Sequence, residues 1–171
     1  MSTLHVENLK GLSSGGNANK IIVPSGQTLD ASNGFTAPAG HVIQVVHQPF
    51  STSMNTSSQS FVTTGHSVTI TPKSSSSKIL ISVQGGSWYN QAGQCYVTLY
   101  RGSSNLADSS GLAMQENQPY IPHSFVYYDS PSTTSATTYT SYIRVNASGI
   151  TTYYSYPAYG KMGMTAMEIA Q

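Results

Sequence analysis

The chain has 171 residues, a formal net charge of +1 and only 8% charged side chains, against roughly 25% in ordinary globular proteins. That length holds one domain and a modest appendage, and the charge balance offers no electrostatic reason to bind nucleic acid or an anionic membrane surface. The single cysteine, Cys95, excludes an internal disulfide framework and a cysteine-rich zinc site. Polar surface must come from Ser, Thr, Asn, Gln and Tyr, a mixture that suits β-structure of the extracellular or virion kind and not helices.

Residues 1–40 differ from the rest. They open without the basic and apolar blocks of a signal peptide, and no run in the chain approaches the roughly 18 apolar residues that span a bilayer. The expectation is synthesis in a cytoplasm without export by a cleaved leader, and, for work outside the cell, release by lysis or as part of a particle. Leu4, Val6 and Leu9 are followed by a Gly/Ser/Asn linker, then Ile21-Ile22-Val23 and a Pro24-Ser25-Gly26 turn. These apolar residues are too few to bury a core alone. Either the segment is disordered, or it finds its missing partner surface in other copies or neighbours. Regularly spaced short strands with Gly turns, which must be paired or covered, favour the second, with Leu4, Val6, Leu9, Ile21 and Val23 as the candidate attachment residues.

From residue 41 the pattern becomes that of a β-sandwich. Residues 41–50 are apolar on both faces, through Val42, Ile43, Val45 and Val46, and are expected to form an internal strand. A polar loop follows to residue 60. Residues 61–72 alternate, with Val68 and Ile70 opposite Thr69 and Thr71, and Pro72 ends the run. Residues 78–101 hold the clearest signal: Ile79, Ile81 and Val83 on one face, then Cys95, Val97 and Leu99 opposite Tyr96, Thr98 and Tyr100. The Gly/Asn/Gln stretch between the two runs suggests a long antiparallel hairpin at the centre of the body.

Residues 106–114 fit either a short strand or one helical turn. Residues 123–128 form a strand with Phe125 and Tyr127 on one face. Residues 137–146 form another, with Tyr139, Ile143 and Val145 opposite Tyr142 and Arg144. Residues 150–159 are tyrosine-rich and broken by Pro157. Residues 163–169 close the body, with Met164, Ala166 and Glu168 opposite Thr165, Met167 and Ile169, and this weakly charged last strand is expected inside a sheet. About eight short strands with many turn clusters and no helical period describe a β-sandwich or jelly roll.

Candidate chemistry is sparse. Six carboxylates, Glu7, Asp30, Asp108, Glu116, Asp129 and Glu168, stand singly, with no spacing that reads as an acid/base pair. Asp108 and Asp129 sit among turn residues. His41, His47, His66 and His123 lie on different elements and lack metal-ligand spacing. Gly15-Gly16 and Gly85-Gly86 are not followed by the Lys-Ser/Thr of a phosphate cradle. No enzymatic activity, metal or cofactor is expected.

The tyrosines carry more. Trp88-Tyr89, Tyr120, Tyr127-Tyr128 and the run from Tyr153 to Tyr159 concentrate amphipathic rings near strand ends. Such rings dominate interface hot spots and can stack on sugars. Trp88, Tyr89, Tyr153, Tyr156 and Tyr159 are therefore candidates for a subunit interface or for glycan contact. In adjacent pairs such as Tyr153-Tyr154, one ring can be core while the other is surface.

A set of phrases in order along the chain resembles a known family. It begins with Met1-Ser-Thr-Leu, Val23-Pro-Ser-Gly-Gln-Thr-Leu-Asp-Ala-Ser and Phe35-Thr-Ala-Pro-Ala-Gly. It continues with Ile70-Thr-Pro, Ser77-Lys-Ile-Leu-Ile, Leu99-Tyr-Arg-Gly-Ser, Asp129-Ser-Pro, Ser135-Ala-Thr-Thr-Tyr and Thr165-Ala-Met-Glu-Ile. Together these resemble small tail-fibre-like virion structural proteins of marine bacteriophages and cyanophages. The resemblance implies a jelly-roll body similar to the C1q/tumour-necrosis-factor type, a homotrimer, and an N-terminal attachment segment docked on other virion proteins. It supplies no catalytic residues. A module that binds host surface polysaccharide is the alternative.

Overall fold

A computed structural model of the protein describes residues 10–11, 13–16, 18, 20–28, 36–90, 92–116, 120–156 and 162–171, with backbone alone at 86–90, 155 and 156. The chain divides into two compact units, Met1–Thr36 and Ala37–Gln171.

In the first unit the described residues form turns and no strand. The Gln27 amide donates to the Pro24 carbonyl at 3.0 Å across a turn that places Gly26 at φ 81°, a left-handed conformation that favours glycine. Ile21 and Val23 are 57% and 42% exposed. The run Ile21-Ile22-Val23 forms no strand, and its side chains are exposed. Leu4, Val6 and Leu9 lie outside the described residues.

The second unit is all-β, two antiparallel sheets packed as a sandwich. Its strands are β1 (Val42–Phe50), β2 (Met54–Thr56), β3 (Val62–Ile70), β4 (Lys78–Asn90), β5 (Gln94–Arg101), β6 (Ser104–Asn105), β7 (Ala113–Glu116), β8 (Ile121–Asp129), β9 (Thr137–Val145), β10 (Thr152–Tyr156) and β11 (Met162–Ile169). In one sheet, β11 pairs with residues 78–85 of β4 and β10 with residues 87–90, so β10 and β11 run end to end along one edge of β4. β1 and β2 continue in the same way outside them, and β8 takes the other edge of β4. In the other sheet β3 pairs β9, β9 pairs β5, and β6 and β7 share the far edge of β5. The eleven described strands thus occupy eight positions, four per sheet. Counted along the chain, those positions run 1-8-3-6 in the first sheet and 2-7-4-5 in the second.

The inward faces are those that alternation selects. Ile79, Ile81, Val83, Met164 and Ala166 of the first sheet meet Val68, Ile70, Leu99 and Tyr139 of the second. A second cluster of Cys95, Val97, Ile143, Val145, Ile150 and Tyr154 fills the other end. Burial pushes the Cys95 thiol up to about 11, with a weaker opposing hydrogen bond to Thr152. It is a small buried hydrophobe.

Three expectations need correction. β4 and β5 are not a hairpin: they belong to different sheets, and the chain crosses between them before β5 begins, with Gly93 at φ 65°. β4 runs on to Asn90, which leaves only a short connection. The first body strand is not internal. β1 pairs only β11 among the described residues, and Val42, Ile43 and Val45 are exposed. Asp129 is more than a turn residue. It is buried, and both its oxygens lie 2.9 Å from an Arg101 Nη while the Tyr139 hydroxyl donates to it at 2.7 Å. The last strand behaves as expected, lying between β1 and β4.

Candidate functional site

The outward faces of the two sheets are where chemistry and contact can occur. On the β5–β9 sheet, outward rings and Arg144 lie on one another. Tyr100 and Tyr142 are diagonal neighbours across the strand pair and stack at 3.9 Å. The Arg144 guanidinium sits 4.1 Å over the Tyr96 ring and 5.3 Å from the Phe61 ring, an attraction between cation and ring quadrupole. Its Nη2 and Nε donate to the Ser109 carbonyl at 2.6 and 3.1 Å, which draws the 106–112 loop over the sheet. The Leu112 amide completes the seal on the Val97 carbonyl at 2.8 Å. Thr98 faces outward yet is wholly buried beneath this cover, its hydroxyl donating to Asn105 at 2.7 Å.

The β1–β11–β4–β8 sheet presents a different outer face. Its register aligns Val45, Met167, Leu80 and Tyr128 in one row across all four strands. The next row is His47, Thr165, Ser82 and Val126, and the next is Pro49, Gly163, Gln84 and Ser124. On the other side lie Val42, Ile169 and Lys78. Val45, Tyr128 and Val126 are 56%, 51% and 61% exposed. Lys78 is the one Lys, Arg, Asp or Glu in these rows, and its ammonium is held by Ser130 Oγ.

On the same face a concavity of about 420 Å³ lies along the β4–β8 seam, lined by Ser82, Val83, Gln84, Pro122, His123 and Ser124. One lining residue, His123, owes its orientation to Gly85. A Cβ there would stand 1.8 Å from the His123 ring, so only glycine lets that ring turn inward. His123 then lies 4.7 Å from Tyr154, and His66 lies 5.8 Å from the same ring, stacked on Phe50 at 4.4 Å. Burial lowers the His66 pKa, partly opposed by its 2.9 Å hydrogen bond with the Thr52 carbonyl. Burial raises that of Tyr154, with a hydrogen bond from Ser141 opposing.

The paired-tyrosine expectation describes two of these sites. Tyr154 is buried while Tyr153 is half-buried, and Tyr127 points inward to the Leu106 carbonyl while Tyr128 is exposed. Trp88 and Tyr89 lie on β4 facing Tyr154 and Tyr153 of β10 in register, and Tyr156 is on β10. The side chains of Trp88, Tyr89 and Tyr156, and all of Tyr159, lie outside the described residues.

Three of the four carboxylates of the body, Asp108, Asp129 and Glu168, act within the fold. Glu168 is wholly buried. Burial pushes its pKa up, but hydrogen bonds from Ser77, Gln44 and the Lys73 and Ser74 amides outweigh that and hold it below the usual range. Gln44 Nε2 donates to it at 2.6 Å and the Lys73 amide at 2.7 Å, so this one carboxylate pins the 71–77 loop. Asp108 caps its own turn, accepting the Ser110 amide at 2.7 Å. His41 is a strand-end histidine with Nδ1 3.1 Å from the Pro38 carbonyl. Among the described residues no three His, Cys, Asp or Glu are grouped to hold a metal, and no helix is long and apolar enough to cross a membrane.

Sequence reasoning missed the two outer faces as wholes. A signal was present: Phe125-Val126-Tyr127-Tyr128 is apolar on both faces, as are residues 42–46, so each strand had a second apolar face to account for. Comparison with known proteins finds no matching family model and no matching curated relative.

Proposed function

We propose that the protein is a non-enzymatic structural component of a bacteriophage particle, a homotrimeric fibre or decoration knob with a jelly-roll body, held to other virion proteins through residues 1–40. The observation that carries this reading is the wound strand order, 1-8-3-6 against 2-7-4-5. That order suits a jelly roll, an architecture of viral capsid and lectin domains. The exposed Ile21 and Val23 suit an attachment segment that completes its packing on a partner. The ordered resemblance of the sequence to tail-fibre-like proteins points the same way. Binding of nucleic acid or insertion in a membrane forms no part of the reading.

The test is protein mass spectrometry of density-purified particles, with labelling by antibodies to the body. The reading expects the chain in intact particles at a copy number divisible by three. Its absence from infectious particles would rule the reading out.

A host-receptor module that binds surface polysaccharide is the second reading. The neutral concavity at the β4–β8 seam favours it, because Ser82, Gln84 and Ser124 offer hydroxyls and an amide with no formal charge, as a neutral sugar requires. Trp88, Tyr89, Tyr153, Tyr156 and Tyr159 are its candidate stacking rings. Binding of neutral oligosaccharides that Gln84→Ala weakens at least tenfold would support it.

A further inference from the structure

We infer that the outer face of the β1–β11–β4–β8 sheet is the surface on which copies of this chain pack against one another. The inference deepens the self-association in the reading above and rests on it. The first observation is continuity: the row Val45–Met167–Leu80–Tyr128 crosses all four strands without a polar break, and Val126 extends it on β8. Isolated surface hydrophobes are ordinary, but contiguous exposed patches mark contact sites.

The second observation is size. Four strands about 4.8 Å apart, each about eight residues long at 3.4 Å per residue, span about 500 Å² in projection. The accessible area of a corrugated face exceeds its projection, and a ring shares it between two neighbours, so each contact is smaller than the roughly 800 Å² per partner of a standard interface and depends on concentration.

The third observation selects a copy of the same chain as the occupant. The rows carry one formal charge, Lys78, engaged by Ser130 at the margin. A strongly acidic or basic partner finds nothing to pair with, whereas two neutral faces meet without like-charge repulsion. The most exposed apolar residues stand on opposite edge strands, Val45 on β1 and Val126 and Tyr128 on β8. Two distinct apolar ends suit a head-to-tail contact that closes into a ring, in which the β8 end of one copy meets the β1 end of the next.

The experiment uses the full chain. Analytical ultracentrifugation is run on the natural protein, on Val45→Lys/Val126→Lys, and on Thr63→Lys, a position on the other sheet. The expected result is an oligomer for the natural protein and Thr63→Lys, and for the double variant a species at the 18.2 kDa chain mass, its dissociation constant raised at least 100-fold with an unchanged circular dichroism spectrum. Because two new lysines could disturb the fold, Val126→Cys and Val45→Cys are also mixed and treated with a short bis-maleimide. Cys95 is buried, so covalent linkage between copies reports the two new positions. An oligomer that survives the double lysine change and gives no cross-link overturns the face assignment while leaving self-association intact. A natural protein that sediments as a monomer at all concentrations overturns both.

Discussion

The two sheets of the body have inward faces built alike and outward faces built differently. Outside the β5–β9 sheet, Tyr100 stacks on Tyr142, Arg144 covers Tyr96, and the 106–112 loop is tied down over Thr98. Outside the β1–β11–β4–β8 sheet, Val45, Tyr128 and Val126 stand in the open with no loop over them among the described residues. One chain thus shows both solutions to an apolar outer face. The lesson is that aromatic content alone does not identify a contact surface. Tyr100 and Tyr142 cover each other and Arg144 covers Tyr96, and what marks a surface for a partner is an apolar row without internal cover.

The largest expected effect lies in the contact that joins the sheets, and it sets the scale for the rest. Asp129→Ala leaves the buried Tyr139 hydroxyl and Arg101 without their acceptor and should lower stability by about 3 kcal/mol, measured by urea denaturation at pH 7. A change under about 1 kcal/mol would mean that the network adds little and that the comparison of outer faces lacks this reference.

Acid should weaken the sandwich from its β1–β3 end. The folded pKa of His66 lies below its ordinary 6.5, so the neutral ring's contribution is complete above about pH 6.5 and is lost as the pH falls through the folded value. Glu168, held below its ordinary 4.5, contributes fully above about pH 4.5, and that contribution is lost only in stronger acid. Melting temperature recorded from pH 8 to pH 2 should therefore fall in two stages, the first below pH 6.5 and the second below pH 4.5. His66→Phe should abolish the first, and an unchanged first stage would assign it elsewhere.

Smaller effects sharpen the contrast between the outer faces. Tyr142→Ala removes a stacked ring and should cost about 1.5 kcal/mol of stability, and Arg144→Ala about 1 kcal/mol. Val126→Ser on the open face should change the stability of the isolated fold by less than about 0.5 kcal/mol, because that side chain contacts little within its own copy. Denaturation of all three below the concentration of self-association makes the comparison. Equal losses on both faces would erase the distinction.

Much of the body was legible from alternation. Ile79, Ile81, Val83, Cys95, Val97, Leu99, Tyr139, Ile143 and Val145 are buried as the period-two pattern requires, because each strand has one face on the core. Pairing was less legible. The runs on either side of the 85–93 stretch look like a hairpin, yet a chain crossing between sheets uses the same glycines and the same alternation. The edge position of β1 was hidden because apolar residues on both faces describe equally well a buried strand and an edge strand that awaits a partner. Asp129 and Glu168 looked like a turn residue and a strand residue, since their partners Arg101, Tyr139 and Gln44 are distant in sequence. Of the candidate contact residues, Ile21 and Val23 are exposed and Tyr153 is half-buried. The outer face that now carries the argument depends on register between β1, β11, β4 and β8, which no local pattern specifies.

The most direct measurement is the rate at which a maleimide reagent labels Val126→Cys in the full-length protein, set against Thr134→Cys at an exposed position of the turn between β8 and β9. Cys95 does not compete, since it is buried and its thiol is pushed up to about 11. A face covered by a second copy predicts labelling at least tenfold slower at position 126 than at 134, with the difference vanishing on dilution below the dissociation constant. Equal rates at concentrations where the protein is assembled would contradict it.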